Sequence, residues 1–171
     1  ITNTAGTAVN IQSGGAAISY STISAYGTGM NALQANAAVT LNNCYLANAQ
    51  GNGVSLTAGS GHFISSSTIK AGMSGGKAFY ASNVTYSTVA YSYLLAPLGI
   101  AGQFSGGGNN SIIFSTLAAN FAGDYALRAD GFASSFTLVN SSVSNLSGSG
   151  VYVNGGSGHY LSSNTIGGNI I

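Results

Sequence analysis

The chain repeats one short pattern seven times, at intervals of 23 to 26 residues. The pattern is an aliphatic residue, then four residues that are mostly Ser, Thr, Asn or Tyr, then a second aliphatic residue. A repeat of this period is typical of solenoid proteins, in which each unit buries its apolar face against the next. The seven copies lie at residues 18–23, 41–46, 64–69, 89–94, 112–117, 138–143 and 161–166.

A second apolar position precedes each copy of the pattern, at separations of 21 to 25 residues. Because the two registers drift together, the repeat is unlikely to arise by chance. The strongest direct match joins residues 60–69 and 157–166, which are identical at seven of ten positions and lie four repeats apart. The second register consists of Val9, Met30, Val54, Phe79, Phe104, Leu127 and Val151.

The apolar stretches are short and alternate with polar residues, as in residues 53–56 and 150–153. This alternation predicts strands with one buried face, and the Gly, Asn and Ser clusters between them predict tight turns. Helical repeats need longer segments, and leucine-rich repeats need regularly spaced leucines and a helical side. The sequence therefore predicts an all-β fold, a right-handed parallel β-helix of about seven coils with ~24 residues each. Residues 1–171 are expected to form a single domain.

Both aliphatic residues of the pattern are expected to face the core, although an offset of five residues would place them on opposite faces of a strand. A bend must therefore separate them. We name the residue predicted at this bend the corner column, whose small polar side chains are expected to hydrogen-bond from coil to coil. The next residue is expected to face outward, and we name it the Thr/Tyr stripe, a possible contact surface. The corner column is Ser21, Cys44, Ser67, Ser92, Ser115, Ser141 and Asn164, and the Thr/Tyr stripe is Thr22, Tyr45, Thr68, Tyr93, Thr116, Ser142 and Thr165.

Charge is nearly absent, since only five residues of 171 are charged. An uncharged Ser/Thr/Asn/Gly surface favours an extracellular or cell-surface location, where dense assembly is tolerated. A net charge of +1 argues against a nucleic-acid partner. The sequence has no run of eighteen apolar residues, so no membrane span is predicted. Cys44 is the only cysteine, which rules out an internal disulfide and favours a buried substitute for serine. The charged residues are Lys70, Lys77, Asp124, Arg128 and Asp130.

Asp124 and Asp130 are the only candidates for a catalytic acid pair, with Arg128 beside them. Glycoside hydrolysis generally requires two carboxylates. The alternative interpretation, which we favour, is that both are turn-forming residues and that one of them makes a surface ion pair. His62 and His159 occupy equivalent places four coils apart, about 19 Å along the rod, so they cannot share a metal ion. They are expected to hydrogen-bond nearby backbone groups. No cofactor or metal site is predicted.

Tyrosine is abundant, with ten residues in a chain that has no tryptophan. Tyrosine rings combine a flat apolar face with a hydroxyl group, so exposed ones are candidates for contact with sugars or with a neighbouring subunit. The candidates are Tyr45, Tyr80, Tyr91, Tyr93 and Tyr152.

The Gly/Ser/Asn-rich coils resemble the passenger regions of bacterial surface β-helix proteins: autotransporter adhesins, filamentous-haemagglutinin-like proteins and polymorphic outer-membrane proteins. Residues 14–18, Gly-Gly-Ala-Ala-Ile, are similar to the GGAI tetrapeptide of the last group with one inserted alanine, and the companion FxxN motif is absent. Phage tailspikes share the coil pattern more distantly. The resemblance implies a non-enzymatic structural or adhesive rod that forms homo-oligomers or filaments and contacts surface glycans. Two alternatives remain open, a glycan-binding or glycan-cleaving spike and an ice-binding solenoid that uses the threonines.

Residues 1–9 align with residues 46–54, so the sequence begins in the middle of a coil. It ends without an amphipathic segment that would form a capping helix. From both features we expect the chain to be a segment, or the mature form, of a longer protein, with its coil ends covered by other parts of that protein or by another subunit.

Overall fold

The computed structural model describes residues 1–132 and 135–168, and all regular structure in these ranges is β-strand. The expectation that no capping helix follows the last coil concerns residues 169–171 and lies outside the described residues. In chain order the strands are β1 (Thr2–Asn3), β2 (Val9–Ile11), β3 (Ala16–Ser19), β4 (Thr22–Ala25), β5 (Asn31–Ala35), β6 (Val39–Asn42), β7 (Tyr45–Asn48), β8 (Asn52–Leu56), β9 (Phe63–Ser65), β10 (Thr68–Ala71), β11 (Lys77–Ser82), β12 (Thr88–Ala90), β13 (Tyr93–Ala96), β14 (Ile100–Ser105), β15 (Asn110–Ile113), β16 (Thr116–Ala119), β17 (Tyr125–Phe132), β18 (Phe136–Val139), β19 (Ser142–Asn145), β20 (Ser149–Gly155), β21 (Tyr160–Ser162) and β22 (Thr165–Gly168).

Each coil consists of three consecutive strands, one in each of three parallel sheets. Sheet A contains β1, β4, β7, β10, β13, β16, β19 and β22; sheet B contains β2, β5, β8, β11, β14, β17 and β20; sheet C contains β3, β6, β9, β12, β15, β18 and β21. A strand pairs with the strands one coil before and one coil after it, as β10 does with β7 and β13. The predicted all-β parallel β-helix is therefore confirmed, with the chain passing through sheets B, C and A in turn.

The repeated pattern builds two of the three inner walls. Its first aliphatic residue points inward from sheet C and its second points inward from sheet A, as Leu41 and Leu46 do with no exposed surface. The bend between them is made by two residues, the corner column and the residue before it. That preceding residue has φ between 48° and 56° in all seven coils, and we name these positions the left-handed column. They are Tyr20, Asn43, Ser66, Tyr91, Phe114, Asn140 and Ser163.

Two residues of the second apolar register were predicted wrongly. Met30 precedes β5 and is 45% exposed, and the fully buried Leu33 takes its place between Val9 and Val54. Phe104 does not continue the column of Phe79, because the residue beside Phe79 in β14 is Gly102. Phe104 instead lies beside Ala81 and Ala129 in the neighbouring inward column. The large ring therefore moves to the column where both neighbours are alanine, and glycine takes the place beside Phe79.

Three phenylalanines fill the middle of the rod, all with no exposed surface. The Phe104 ring lies 5.2 Å from both the Phe79 and the Phe136 ring centres, with interplanar angles of 54° and 55°. Tilted pairs at this distance are favourable beyond the area that they bury. The core of coils four to six thus depends on contacts between sheets B and C.

Candidate functional site

The corner column forms a continuous ladder of hydrogen bonds along the rod. In each step a backbone N–H donates to the side chain one coil further on, at 2.9 to 3.2 Å. Each serine hydroxyl also donates to the carbonyl oxygen two residues before it, at 2.7 to 2.9 Å. The buried Cys44 takes a serine position, with Sγ 3.4 Å from two carbonyl oxygens. Since these groups are bonded within the rod, the corner column serves the fold. The donors are Cys44, Ser67, Ser92, Ser115 and Ser141, and the acceptors are Ser67, Ser92, Ser115, Ser141 and Asn164.

The two histidines make matching backbone contacts at the start of sheet C. His62 Nδ1 accepts a hydrogen bond from the Val39 N–H at 3.3 Å, and His62 Nε2 lies 3.0 Å from the Ala58 carbonyl oxygen. His159 repeats this arrangement with the Phe136 N–H and the Gly155 carbonyl oxygen. Because Nδ1 is the acceptor, we assign the proton to Nε2, which makes the bound ring neutral. Both rings cap backbone groups.

Burial lowers the pKa of His62 below its ordinary value of 6.5, against a smaller opposite effect of the Ala58 carbonyl. The unfolded chain therefore binds a proton more readily than the folded chain. The stabilisation by neutral His62 is complete above about pH 6.5 and is lost as the pH falls below that value. We expect the denaturation midpoint in guanidinium chloride to fall between neutral pH and about pH 5. In a His62→Asn variant this drop should shrink, because Asn110 already accepts the Ser87 N–H at the same corner without titrating. An equal drop in both proteins would contradict the assignment.

The charged residues Asp124, Arg128 and Asp130 lie at or in β17 of sheet B. Asp124 accepts a hydrogen bond from the Tyr125 N–H at 2.9 Å, and Asp130 Oδ2 lies 2.6 Å from Arg128 Nε. The hydrogen bond and the charge of Asp130 raise the pKa of Arg128. Six residues of extended strand separate the two aspartates, so their α-carbons are about 20 Å apart. Glycoside hydrolysis needs carboxyl groups within about 10 Å. The fold therefore does not bring these acids together as a catalytic pair.

The remaining polar groups of sheet B also pack against each other. The Arg128 guanidinium lies 5.9 Å from the Tyr152 ring centre, and Lys77 Nζ lies 5.4 Å from that of Tyr80. The Tyr152 ring in turn contacts Tyr125 at 4.7 Å. Both tyrosines that were candidates for contact on this sheet are thus half-buried beside a cation.

The Thr/Tyr stripe lies on the outside of sheet A, where each member is the first residue of its strand. Its members are in register from coil to coil, as in the pairing of Thr68 with Tyr45 and Tyr93. All seven side chains are exposed or half-exposed, and the two tyrosine residues are 39% and 38% exposed. The stripe is therefore a continuous uncharged surface with two projecting rings.

The left-handed column adds aromatic residues that the sequence analysis missed, apart from Tyr91. Tyr20 is 83% exposed, and the rings of Tyr91 and Phe114 stack with centres 5.1 Å apart and an interplanar angle of 1°. We name these three residues the aromatic corner. Aromatic side chains in the left-handed region are uncommon. The signal in the sequence was the residue that precedes the corner column in each repeat.

A groove of about 450 Å³ crosses sheet A beside the stripe. Its walls include Tyr26, Tyr45, Lys70 and Pro97, and its floor is made of small residues such as Gly72. A Cβ on Gly72 would lie 2.4 Å from the Ala49 carbonyl oxygen, so the coils approach closely here and no larger residue fits. The sequence analysis did not anticipate the groove, because its residues come from separate coils.

Two kinds of site were not found in the described ranges. In residues 1–132 and 135–168, no three residues among His, Cys, Asp and Glu come together as metal ligands. The same ranges contain no helix with the length and apolar character required to cross a bilayer.

Comparison with known families gives one match. The family model described as a right-handed β-helix region matches residues 6–171, almost the whole chain. No curated protein and no solved structure matches the chain at a significant level.

Proposed function

Because this chain belongs to the right-handed β-helix family, we propose that it is a non-enzymatic extracellular protein with a structural or adhesive role. It would act as a rigid rod that makes contacts through one side. We name this side the sheet A surface, and it comprises the Thr/Tyr stripe, the aromatic corner and the groove. Its partners would be a second copy of the chain or a surface glycan.

The observation that carries the proposal is the exposure of aromatic rings on a surface without acidic groups. Tyr20, Tyr91 and Phe114 are 83%, 62% and 48% exposed, and the two stripe tyrosines lie beside them. The only acidic residues of the chain belong to β17 and its start, in sheet B. Rings of this kind supply contact area at a low cost in side-chain entropy. Neutral faces can also approach each other without charge repulsion.

The parallel ladders give this surface a fixed spacing. Adjacent coils are about 4.8 Å apart, and each stripe residue is held in register by a strand of sheet A. Such a surface presents the same groups repeatedly, so weak contacts can add up along the rod. The projecting Tyr45 and Tyr93 make the stripe uneven, which favours a sugar or a protein over ice as the partner.

A double variant, Tyr91→Asn with Tyr93→Thr, tests the proposal. Both new residues already occur in the same columns, at Asn43 and Thr68, so the fold should be kept. We expect sedimentation velocity over a concentration series, or adsorption to glycan-coated surfaces, to show association of the native protein that the variant weakens about tenfold or more.

The matched control is Tyr86→Asn. Tyr86 is 66% exposed and also has a positive φ, but it lies at the corner between sheets B and C. It should leave association unchanged. A native protein that neither associates nor adsorbs would refute the proposed function, and so would a control that loses as much as the double variant.

A further inference from the structure

Lys70 is a cation with no acidic partner on its face of the rod. It lies on the outside of β10, between Ala47 and Leu95 of the adjacent coils. The two acidic residues of the chain lie at or in β17, on another sheet and three coils away. No carboxylate of this chain therefore neutralises Lys70, and a negative charge at this position must come from a partner.

The groove places Lys70 beside aromatic and small residues. Tyr26 and Pro97 occupy the same column of the rod in coils one and four, and Ala49 and Gly72 are the small residues between them. The resulting gap is about 14 Å long, given three coil spacings. Tyr45 lies along its side and is 39% exposed. The groove can thus hold a flat, elongated group against a ring face with one end near an ammonium group.

An extended peptide fits this place poorly. Sheet A is paired on both sides of β7 and β10, so its backbone groups are already bonded and cannot take an added strand. Recognition must therefore come from side chains alone, namely tyrosine rings, the Ser24 hydroxyl and the Lys70 ammonium group. Sugar rings combine an apolar face with hydroxyl groups, and a uronic acid adds the carboxylate that Lys70 lacks.

We propose that the groove binds a uronic-acid unit of an acidic polysaccharide, with its carboxylate on Lys70 and its ring on Tyr45. The proposal rests on the adhesive function of the sheet A surface and names the class of glycan. The attraction to Lys70 is electrostatic and half-exposed, so binding should weaken as the salt concentration rises.

The test compares two probes that differ only in charge: a glucuronic-acid oligosaccharide and the glucose oligosaccharide of the same linkage and length. We expect calorimetric titration of the native protein to show at least about tenfold tighter binding of the acidic probe. Lys70→Gln should remove this preference, and Lys70→Arg should largely keep it. Lys77→Gln on sheet B, which removes the same charge elsewhere, should change nothing.

The proposal is overturned if the native protein does not bind the acidic probe, or if it binds both probes equally. It is also overturned if Lys77→Gln reduces the preference as much as Lys70→Gln does. A native protein that associates or adsorbs through Tyr91 and Tyr93 but shows no preference for the acidic probe would leave the proposed function standing. Circular dichroism melting of each variant separates a lost contact from a lost fold.

Discussion

Replacing Phe104 by alanine is expected to lower the free energy of unfolding by about 3–5 kcal/mol. The Phe104 ring has no exposed surface and contacts the rings of Phe79 and Phe136 at 5.2 Å. Its neighbours in the inward column are Ala81 and Ala129, which are too small to fill the space that the ring would leave. Equilibrium denaturation in urea, compared with the native protein, measures the loss.

The control for Phe104→Ala is the same change at Phe114. Phe114 is 48% exposed and stacks only on Tyr91, so its removal should cost no more than about 1 kcal/mol. If the two variants were equally stable, Phe104 would not have the central place in the core that the structure gives it.

Replacing Gly107 by alanine is expected to cost about 4 kcal/mol or more, or to prevent folding. Gly107 has a φ of 75°, and a Cβ at this position would lie 1.9 Å from the Val84 carbonyl oxygen. That oxygen already accepts hydrogen bonds from the Gly108 N–H and the Asn110 side chain. The added methyl group would therefore displace the carbonyl and break both bonds. Thermal and urea denaturation of the purified variant measure the effect.

Gly75→Ala separates the clash from the backbone strain. Gly75 has a φ of 70°, but nothing lies within 4 Å of a Cβ built there. This control should lose only the strain of a left-handed alanine, about 1–2 kcal/mol. A similar loss in both variants would mean that the corner at Gly107 can open to admit a methyl group.

The coil architecture could be predicted from the sequence because it depends on periodicity. The aliphatic pairs, as at Leu41 and Leu46, require both ends to face inward, and only a bend between two short strands allows this. The exchange of Gly102 and Phe104 could not be predicted in the same way. It depends on which neighbouring side chains leave room for a ring, and a repeat period carries no information about that.

The candidate site was less accessible to sequence reasoning. The Thr/Tyr stripe follows from the repeat, since its members recur at one position of each coil. The groove brings Tyr26, Lys70 and Pro97 together from three coils, which no local pattern indicates. Asp124 and Asp130 show the opposite error of inference. They are close in sequence, but an extended strand holds them about 20 Å apart.

His62 and His159 cap the same kind of corner four coils apart, within the two most similar segments of the chain. Every strand pairs only with the coils directly before and after it, so each coil meets nearly the same neighbours wherever it stands. Gene rearrangements that remove or duplicate a whole number of coils would therefore preserve every ladder. The length of such a rod can change between relatives in steps of one coil while its surface chemistry is kept.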